Sequence, residues 1–177
     1  GWEIELAAGT YTHSTHFEPG ADADFNSQIP GIEIRAEAGA ATRPIIAPSA
    51  NVRRVQGGDN NILKFVGIEF NGSAGGNGSY IDAGTGLFLS LIDCVYDTSS
   101  QGTQPTHLFM LQFGNRSILA VDCFFRGGAN SVIYSNNNTF VKLLSCHIDG
   151  DGGSFNSDAG INLFNVNNPN VDRKSTR

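Results

Sequence analysis

The sequence predicts an all-β solenoid, in which short parallel strands stack coil upon coil. The central observation is a repeat: residues 62–72 (ILKFVGIEFNG) are followed by three segments of the same pattern, which begin at Phe88, Ser117 and Phe140. Ile68 and the three Cys residues occupy one position of this repeat at spacings of 26, 29 and 23 residues, a period typical of solenoids. The 22 Gly, the many Asn and the abundant Val, Ile and Phe favour short strands joined by tight turns.

Four columns of apolar residues align across these segments. Within each predicted strand they alternate with polar or mixed residues, and this period of two directs one side of the strand inward. The third column, with Ile68 and the Cys residues, is the predicted core ladder. The columns are Leu63, Leu89, Ile118 and Val141; Phe65, Leu91, Ala120 and Leu143; Ile68, Cys94, Cys123 and Cys146; and Phe70, Tyr96, Phe125 and Ile148.

The beginning of the chain is predicted to hold one strand and a cap. Residues 1–12 read as a strand that ends in a turn at residues 9–11. Residues 12–31 are polar and rich in Pro and Gly, and indicate a loop or N-terminal cap with one helical turn near residues 21–25. A solenoid needs such a cap because its end coil would otherwise expose the core. Further strands are predicted at residues 31–39, 44–48 and 52–55.

From residue 55 each coil is predicted to contain three strands and one short corner. The second strand carries the columns of Leu63 and Phe65, and the third carries those of Ile68 and Phe70. The inward column of the first strand is Val55, Ile81, Met110 and Ile133. The corners between second and third strands are the pairs Val66 and Gly67, Ile92 and Asp93, Val121 and Asp122, and Leu144 and Ser145.

Three inward-facing strands per coil predict three parallel sheets whose hydrogen bonds run from coil to coil. Because right-handed crossovers are the strong default, the predicted fold is a right-handed parallel β-helix of about six to seven coils. The chain then forms one domain: first strand and cap (1–31), coils (32–166) and a polar tail (167–177). No apolar cap follows the last coil, so its edge is expected to be covered by the tail, by a partner or by further chain.

The charge and hydropathy of the chain argue against some classes of partner. The formal net charge is −6, and without the last five residues the body carries 8 basic and 17 acidic residues. This acidity argues against nucleic acid, which needs a basic surface. No apolar run approaches the length of a membrane span. No signal peptide is visible, so either a leader has been removed before Gly1 or the chain is an excised segment.

The three Cys residues are predicted to act as small core residues, because free Cys is among the most buried residue types. Neighbouring coils place their Cα atoms about 4.8 Å apart. That distance allows a disulfide, but parallel Cβ directions would strain it. An odd number of Cys also argues against a disulfide framework. A metal site is disfavoured because inward stacking leaves no His or carboxylate beside the thiols.

The repeat of strand, corner and strand resembles the right-handed parallel β-helix of the pectate lyase superfamily. The opening segments IELAAGTY, IEIRAEAG and RPIIAP also resemble the start of polysaccharide lyases of the alginate lyase and chondroitinase type. The resemblance implies a protein at the cell surface or outside the cell that contacts polysaccharide. The catalytic Lys and Arg of those lyases lie on coils beyond the length of this chain. The paired Asp and Gly-His-Gly motifs of the related pectin hydrolases are absent from the sequence.

Three functional hypotheses stay open. The first is a β-helix that binds polysaccharide, with its own catalytic activity undecided. The second is a structural or assembly β-helix, as in phage tails or adhesins, that forms homo-oligomers through its open end or a flank. The third is a lyase acting by β-elimination, with Arg, Lys, Tyr or His as the base and Arg or Ca²⁺ neutralising the sugar carboxylate.

The predicted carbohydrate-contact face consists of outward residues at the first strand of each coil, since aromatic faces pack on sugar rings. A plain solvent-exposed face with incidental aromatic residues is the alternative interpretation. The candidates are Arg54, Tyr80, Asp82, His107, Phe109 and Tyr134. Asp149 and Asp151 are the candidate ligands for Ca²⁺ through oxygen atoms, although the segment lacks the closing acidic ligand of an EF-hand. No other cofactor is expected.

Overall fold

A computed structural model gives the fold, and every regular element within its described segments is a β-strand. No helix in this part of the chain has the length and hydropathy needed to cross a membrane. The described segments are residues 2–13, 31–48, 55–56, 62–71, 81–82, 88–97, 107–111, 116–126, 131–136, 139–149 and 161–164.

The strands are short, as expected for a chain rich in Gly and Asn. In chain order they are β1 (Trp2–Leu6), β2 (Thr10–His13), β3 (Ile32–Ala36), β4 (Ile45–Pro48), β5 (Val55–Gln56), β6 (Ile62–Val66), β7 (Glu69–Asn71), β8 (Ile81–Asp82), β9 (Phe88–Ile92), β10 (Val95–Asp97), β11 (His107–Leu111), β12 (Arg116–Val121), β13 (Phe124–Arg126), β14 (Ser131–Asn136), β15 (Thr139–Leu144), β16 (His147–Asp149) and β17 (Ile161–Phe164).

The strands form three sheets, and the chain visits them in a fixed order. Sheet A has the order β1-β3-β6-β9-β12-β15, sheet B β2-β4-β7-β10-β13-β16, and sheet C β5-β8-β11-β14-β17. All pairs are parallel. We call one passage through sheets A, B and C a repeat. The described strands make six repeats, and the first of these has strands in sheets A and B only. The predicted all-β architecture of parallel strands is therefore confirmed.

The predicted columns of sheets A and B are confirmed by the strand register. Leu63 pairs with Leu89, and Phe70 pairs with Tyr96. Phe65, Phe70 and Tyr96 are fully buried. The Phe65 and Phe70 rings meet edge to face at 5.1 Å between centroids, which joins the two sheets. Burial of each such ring contributes about 2–3 kcal/mol, so the interior shared by sheets A and B stabilises the described part of the chain.

A one-residue corner in the left-handed region turns each repeat from sheet A to sheet B. Gly67, Asp93, Asp122 and Ser145 have φ of 68°, 51°, 53° and 52°. Left-handed φ is costly for residues with a Cβ, and Asp tolerates it better than most. The ladder residue Ile68 or Cys follows this corner, and the sheet B strand begins one residue later. The prediction that the ladder lies inside the third strand was therefore wrong by one residue.

The ladder thiols are free, and they hold the corners by hydrogen bonds. Cys94 Sγ–H donates to the Ile92 carbonyl at 3.3 Å, and Cys123 Sγ–H donates to the Val121 carbonyl at 3.2 Å. Cys94 and Cys123 are buried, whereas Cys146 is half-buried. The prediction that these residues lie in the core is confirmed for Cys94 and Cys123, and Cys146 packs at the edge of the same core.

The beginning of the chain differs from the prediction. Residues 10–13, predicted as a turn and the start of a cap, form β2, which pairs with β4. Residues 7–9 separate β1 from this strand, and Gly9 among them has a φ of 156°. As the first strand of sheet A, β1 leaves Trp2 and Ile4 exposed by 61% and 42%. The rest of the predicted cap and the polar tail lie outside the described residues.

Sheet C corrects one predicted column. Phe109 pairs with Ile81 and Ile133, whereas Met110 pairs with Asp82 and Tyr134. The predicted column of Val55, Ile81, Met110 and Ile133 was wrong at Met110 because it assumed a constant spacing of eight residues to sheet A. Ile118, the sheet A counterpart of Phe109, follows it by nine positions.

Candidate functional site

The predicted carbohydrate-contact face on sheet C is only partly described. Arg54 and Tyr80 lie outside the described residues, and the strands of sheet C are described by their backbone alone. Asp82 and Tyr134 share one register column, two repeats apart. Phe109 belongs to the neighbouring column, so its assignment to the same face was wrong. His107 pairs with Ser131 at the start of its strand, and its role remains a prediction.

The outer face of sheet B presents a charged and aromatic surface that sequence reasoning missed. Each sheet B strand in repeats 3–6 directs its two flanking residues outward, and its central residue is buried in repeats 3–5 and half-buried in repeat 6. The final residues of these strands were predicted to begin variable turns, and the strand register instead places them in the sheet. These outward residues are Glu69, Asn71, Val95, Asp97, Phe124, Arg126, His147 and Asp149.

Phe124 and His147 form a stacked ring pair on this face. They are register partners on adjacent strands, so their side chains leave the sheet side by side. The ring centroids are 5.1 Å apart and the planes differ by 2°. The Arg126 guanidinium lies 5.2 Å from the Phe124 centroid, within the range of a cation–π contact. His147 is exposed and Phe124 is half-buried, so one edge of the stack faces solvent.

Arg126 also joins two carboxylates in the neighbouring column. Its Nε donates to Asp149 Oδ2 at 3.0 Å, and its Nη1 lies 3.9 Å from Asp97 Oδ2. The three residues occupy successive strands at one position of the register, so opposite charges alternate along the sheet. We call Asp97, Phe124, Arg126, His147 and Asp149 the sheet B cluster. Its side chains are held in place by their neighbours, and the ring stack is bordered by hydrogen-bonding groups.

The predicted Ca²⁺ ligands are only partly accounted for. Asp149 is the last residue of β16, and its carboxylate is bound by Arg126. Asp151 lies outside the described residues. Among the residues that the structure describes, no group of three or more His, Cys, Asp and Glu could hold a metal ion. Ca²⁺ binding therefore remains a prediction.

A second concave feature lies at the N-terminal edge of sheet A. This cleft of about 370 Å³ is bordered by the exposed side chains of Trp2 and Ile62, and Gly31 leaves a gap between them. A Cβ on Gly31 would come within 3.3 Å of the Ile62 Cβ, so the gap depends on glycine. Glu33 and Lys64 form one side of the cleft, with Lys64 Nζ 2.9 Å from Glu33 Oε2. We call this feature the Gly31 cleft.

The pKa values of two ladder thiols, those of Cys123 and Cys146, indicate a structural role for these two residues. A hydrogen bond with Cys146 lowers the pKa of Cys123, but the hydrogen bond with Cys94 and burial outweigh it and raise the pKa to about 12. The hydrogen bond with Cys123, together with burial, raises the pKa of Cys146. Reactive cysteines need a depressed pKa and access to solvent. Cys123 and Cys146 are therefore protonated, unreactive parts of the interior.

Comparison of the chain with protein-family models, curated proteins and solved structures found no match. The family is therefore not assigned. The resemblance to the pectate lyase superfamily stays a prediction from the repeat of strand, corner and strand and from the N-terminal segments.

Proposed function

We propose that this chain is a right-handed parallel β-helix of the pectate lyase type that binds polysaccharide through the outer face of sheet B. The handedness rests on the strong preference of parallel strands for right-handed crossovers. The fixed order of sheets A, B and C supports the helix, because each strand pairs with its counterpart in the next repeat. The stacked pair of Phe124 and His147 within the sheet B cluster is the observation that carries the binding function.

The sheet B cluster has the components of a sugar-binding surface. A pyranose ring has an apolar face that packs on aromatic rings, and ring contacts of this kind contribute about 0.5–1.5 kcal/mol each. The exposed ring of His147, held in place by its stack on Phe124, provides the ring surface. The carboxylates of Asp97 and Asp149 accept hydrogen bonds from sugar hydroxyls. Arg126 fixes both carboxylates, so less rotamer entropy is lost when a sugar binds.

The charge balance of the cluster favours a neutral polysaccharide. Arg126 is already engaged by Asp97 and Asp149, so a uronate or sulfate would have to displace a carboxylate of the protein. The chain as a whole carries a formal net charge of −6, which repels polyanions at low salt. A neutral polysaccharide displaces no carboxylate of the protein, and the net charge does not repel it.

Titration with oligosaccharides tests this function. Calorimetry against neutral, uronate and sulfated oligosaccharides is expected to show binding by the neutral class. Phe124→Ala is expected to weaken that binding about tenfold, which corresponds to about 1.4 kcal/mol. Phe140→Ala is the matched control, because it removes a partly exposed ring from sheet A and should leave the affinity unchanged. Short oligosaccharides exclude avidity effects from self-association.

Two results would contradict the proposal: no binding to any class, or equal losses in Phe124→Ala and Phe140→Ala. Incubation with alginate, pectate and chondroitin, followed by ultraviolet absorbance, detects unsaturated uronates. Their appearance would favour the lyase hypothesis and would point to a site outside the neutral-sugar surface proposed above.

A further inference from the structure

The outer face of sheet A is largely apolar in repeats 3–6. Its strands bury the Leu63 and Phe65 columns, and the alternating residues point outward. Ile62 and Phe140 are exposed by 48% and 37%. Exposed apolar side chains grouped on one face are typical of contacts with a partner. The apolar outward residues are Ile62, Val66, Phe88, Ile92, Leu119, Val121, Phe140 and Leu144.

This face carries a protrusion and a gap at corresponding positions. Gly31, Ile62, Phe88, Ser117 and Phe140 form one register column, which runs from the second repeat to the last. At one end the exposed Phe140 ring projects, and at the other end Gly31 leaves the Gly31 cleft open. A phenyl ring in this cleft would contact the apolar side chains that border it.

The neighbouring column carries complementary charges at the same two ends. Lys142 lies two residues after Phe140 on the same face, as Glu33 lies two residues after Gly31. Within the described part of the chain, Lys142 has no carboxylate in ion-pair contact. Glu33 binds Lys64 through Oε2, so Oε1 can accept a further hydrogen bond.

We propose that two copies of this chain associate face to face through sheet A, with their repeats running in opposite directions and their strands parallel. With repeat 4 facing repeat 4, repeat 6 of one copy faces repeat 2 of the other. Phe140 then enters the partner's Gly31 cleft, and Lys142 meets the partner's Glu33. By two-fold symmetry each contact occurs twice, as in an isologous interface. Val66 faces Val121, and Ser90 lies next to its counterpart near the axis.

The charges favour this orientation over one in which the repeats of both copies run in the same direction. If the repeats of both copies ran in the same direction, the central column would place Lys64 opposite Lys64 and Lys142 opposite Lys142. Like charges in apposition oppose association. In the antiparallel arrangement Lys64 faces Leu119, and the residue at the centre is Ser90, which is small and only 6% exposed. This interface uses sheet A and is independent of the carbohydrate function proposed for sheet B.

Sedimentation equilibrium of the purified chain tests the association. A species of twice the chain mass of 18.8 kDa is expected. Phe140→Glu is expected to raise the dissociation constant at least about tenfold, because it places a charge in an apolar cleft beside Glu33. Lys142→Glu is expected to weaken the dimer less, and more strongly at low salt. Glu69→Lys is the matched control: it reverses a charge on sheet B and should leave association unchanged.

Exchange of charges tests the orientation. In the antiparallel arrangement, Glu33→Lys combined with Lys142→Glu restores opposite charges at both contacts, so the double variant should recover most of the association that Lys142→Glu loses. If the repeats ran in the same direction, position 33 would face position 33 and position 142 would face position 142, so the double variant would recover nothing. Circular dichroism of every variant shows whether it has folded.

A monomer at the highest soluble concentration would overturn the proposal. A dimer unaffected by both Phe140→Glu and Lys142→Glu would overturn it as well, since association would then use another surface. Failure of the Glu33→Lys and Lys142→Glu double variant to recover association would exclude the antiparallel arrangement.

Discussion

Sheets A and B have the same interior and opposite exteriors. Both contribute large apolar residues to one core, and their inner columns follow the same alternation. On the outside, in repeats 3–6, sheet A has apolar side chains at 8 of 12 outward positions and sheet B at 2 of 8. The interior therefore specifies that the chain folds, whereas the outward positions distinguish what each side contacts. We propose that the apolar side contacts a second copy and that the charged, aromatic side contacts carbohydrate.

The largest expected effect tests whether the interiors are equivalent. Phe65→Ala in sheet A and Phe70→Ala in sheet B should each lower the free energy of unfolding by about 3–5 kcal/mol, since both rings are fully buried. The outward rings of Phe88 and Phe124 should cost about 1 kcal/mol or less in the monomer. Urea denaturation of the four variants measures the difference. A much smaller loss for one inner residue would show that the core is not shared equally.

The second-largest expected effect is a pH dependence of the free energy of unfolding, caused by the Cys123 thiol between sheets A and B. The pKa of Cys123 rises from 9.0 in an unstructured chain to about 12 in the fold. The unfolded thiol therefore ionises at a pH where the folded thiol keeps its proton. The stabilisation is complete below pH 9 and is lost as the pH rises towards 12, by about 1.4 kcal/mol per pH unit. Urea denaturation across this range, under reducing conditions, should give a steeper decline for the wild type than for Cys123→Ala. Parallel declines would contradict the assignment.

The corner between the sheets gives an effect of about 1 kcal/mol. Ser145 has φ of 52°, which glycine adopts without strain, so Ser145→Gly should raise the free energy of unfolding by about 0.5–1 kcal/mol. Gly67→Ala should act in the opposite direction, because its Cβ would lie 3.3 Å from the Ala36 Cβ at a φ of 68°. Thermal unfolding compares the two variants. Shifts of the same sign would show that the backbone conformation is not what sets stability there.

The smallest effect concerns the charged exterior. Arg126→Ala removes the cation shared by Asp97 and Asp149, and partly exposed pairs of this kind contribute about 0.5–1 kcal/mol. Lys64→Ala on sheet A removes one ion pair, with Glu33, and should cost less. Both losses should shrink as NaCl is added, because salt screens exposed charges. A loss for Arg126→Ala that is independent of salt would indicate a packing role on Phe124 instead.

The core columns could be predicted because burial imposes a period of two on every inward strand. Leu63, Leu89, Ile118 and Val141 were aligned correctly from hydropathy alone. The register of sheet C could not be predicted in this way, because Ile118 follows Phe109 by nine positions instead of eight and the alternation within each strand does not reveal that difference.

The sheet B cluster was missed for a different reason. Polar residues at the end of a three-residue strand have the same composition as residues in a turn. Arg126 and Asp149 belong to a strand only because the next repeat pairs with them, and the local sequence does not contain that information. Hydropathy identifies what the interior excludes from water, but it does not separate an outward strand position from a loop.

The left-handed corner also determines where this chain can change length during evolution. In repeats 3–6 two residues always separate the sheet A strand from the sheet B strand, whereas the gaps between sheets B and C contain 9, 9, 4 and 11 residues. One residue inserted at a corner would exchange the two faces of the following strand and turn Phe70 or Tyr96 towards water. An insertion between sheets B and C leaves both faces unchanged. Changes in chain length, and the new contacts that they create, can therefore accumulate between sheets B and C, while the corner between sheets A and B keeps its length.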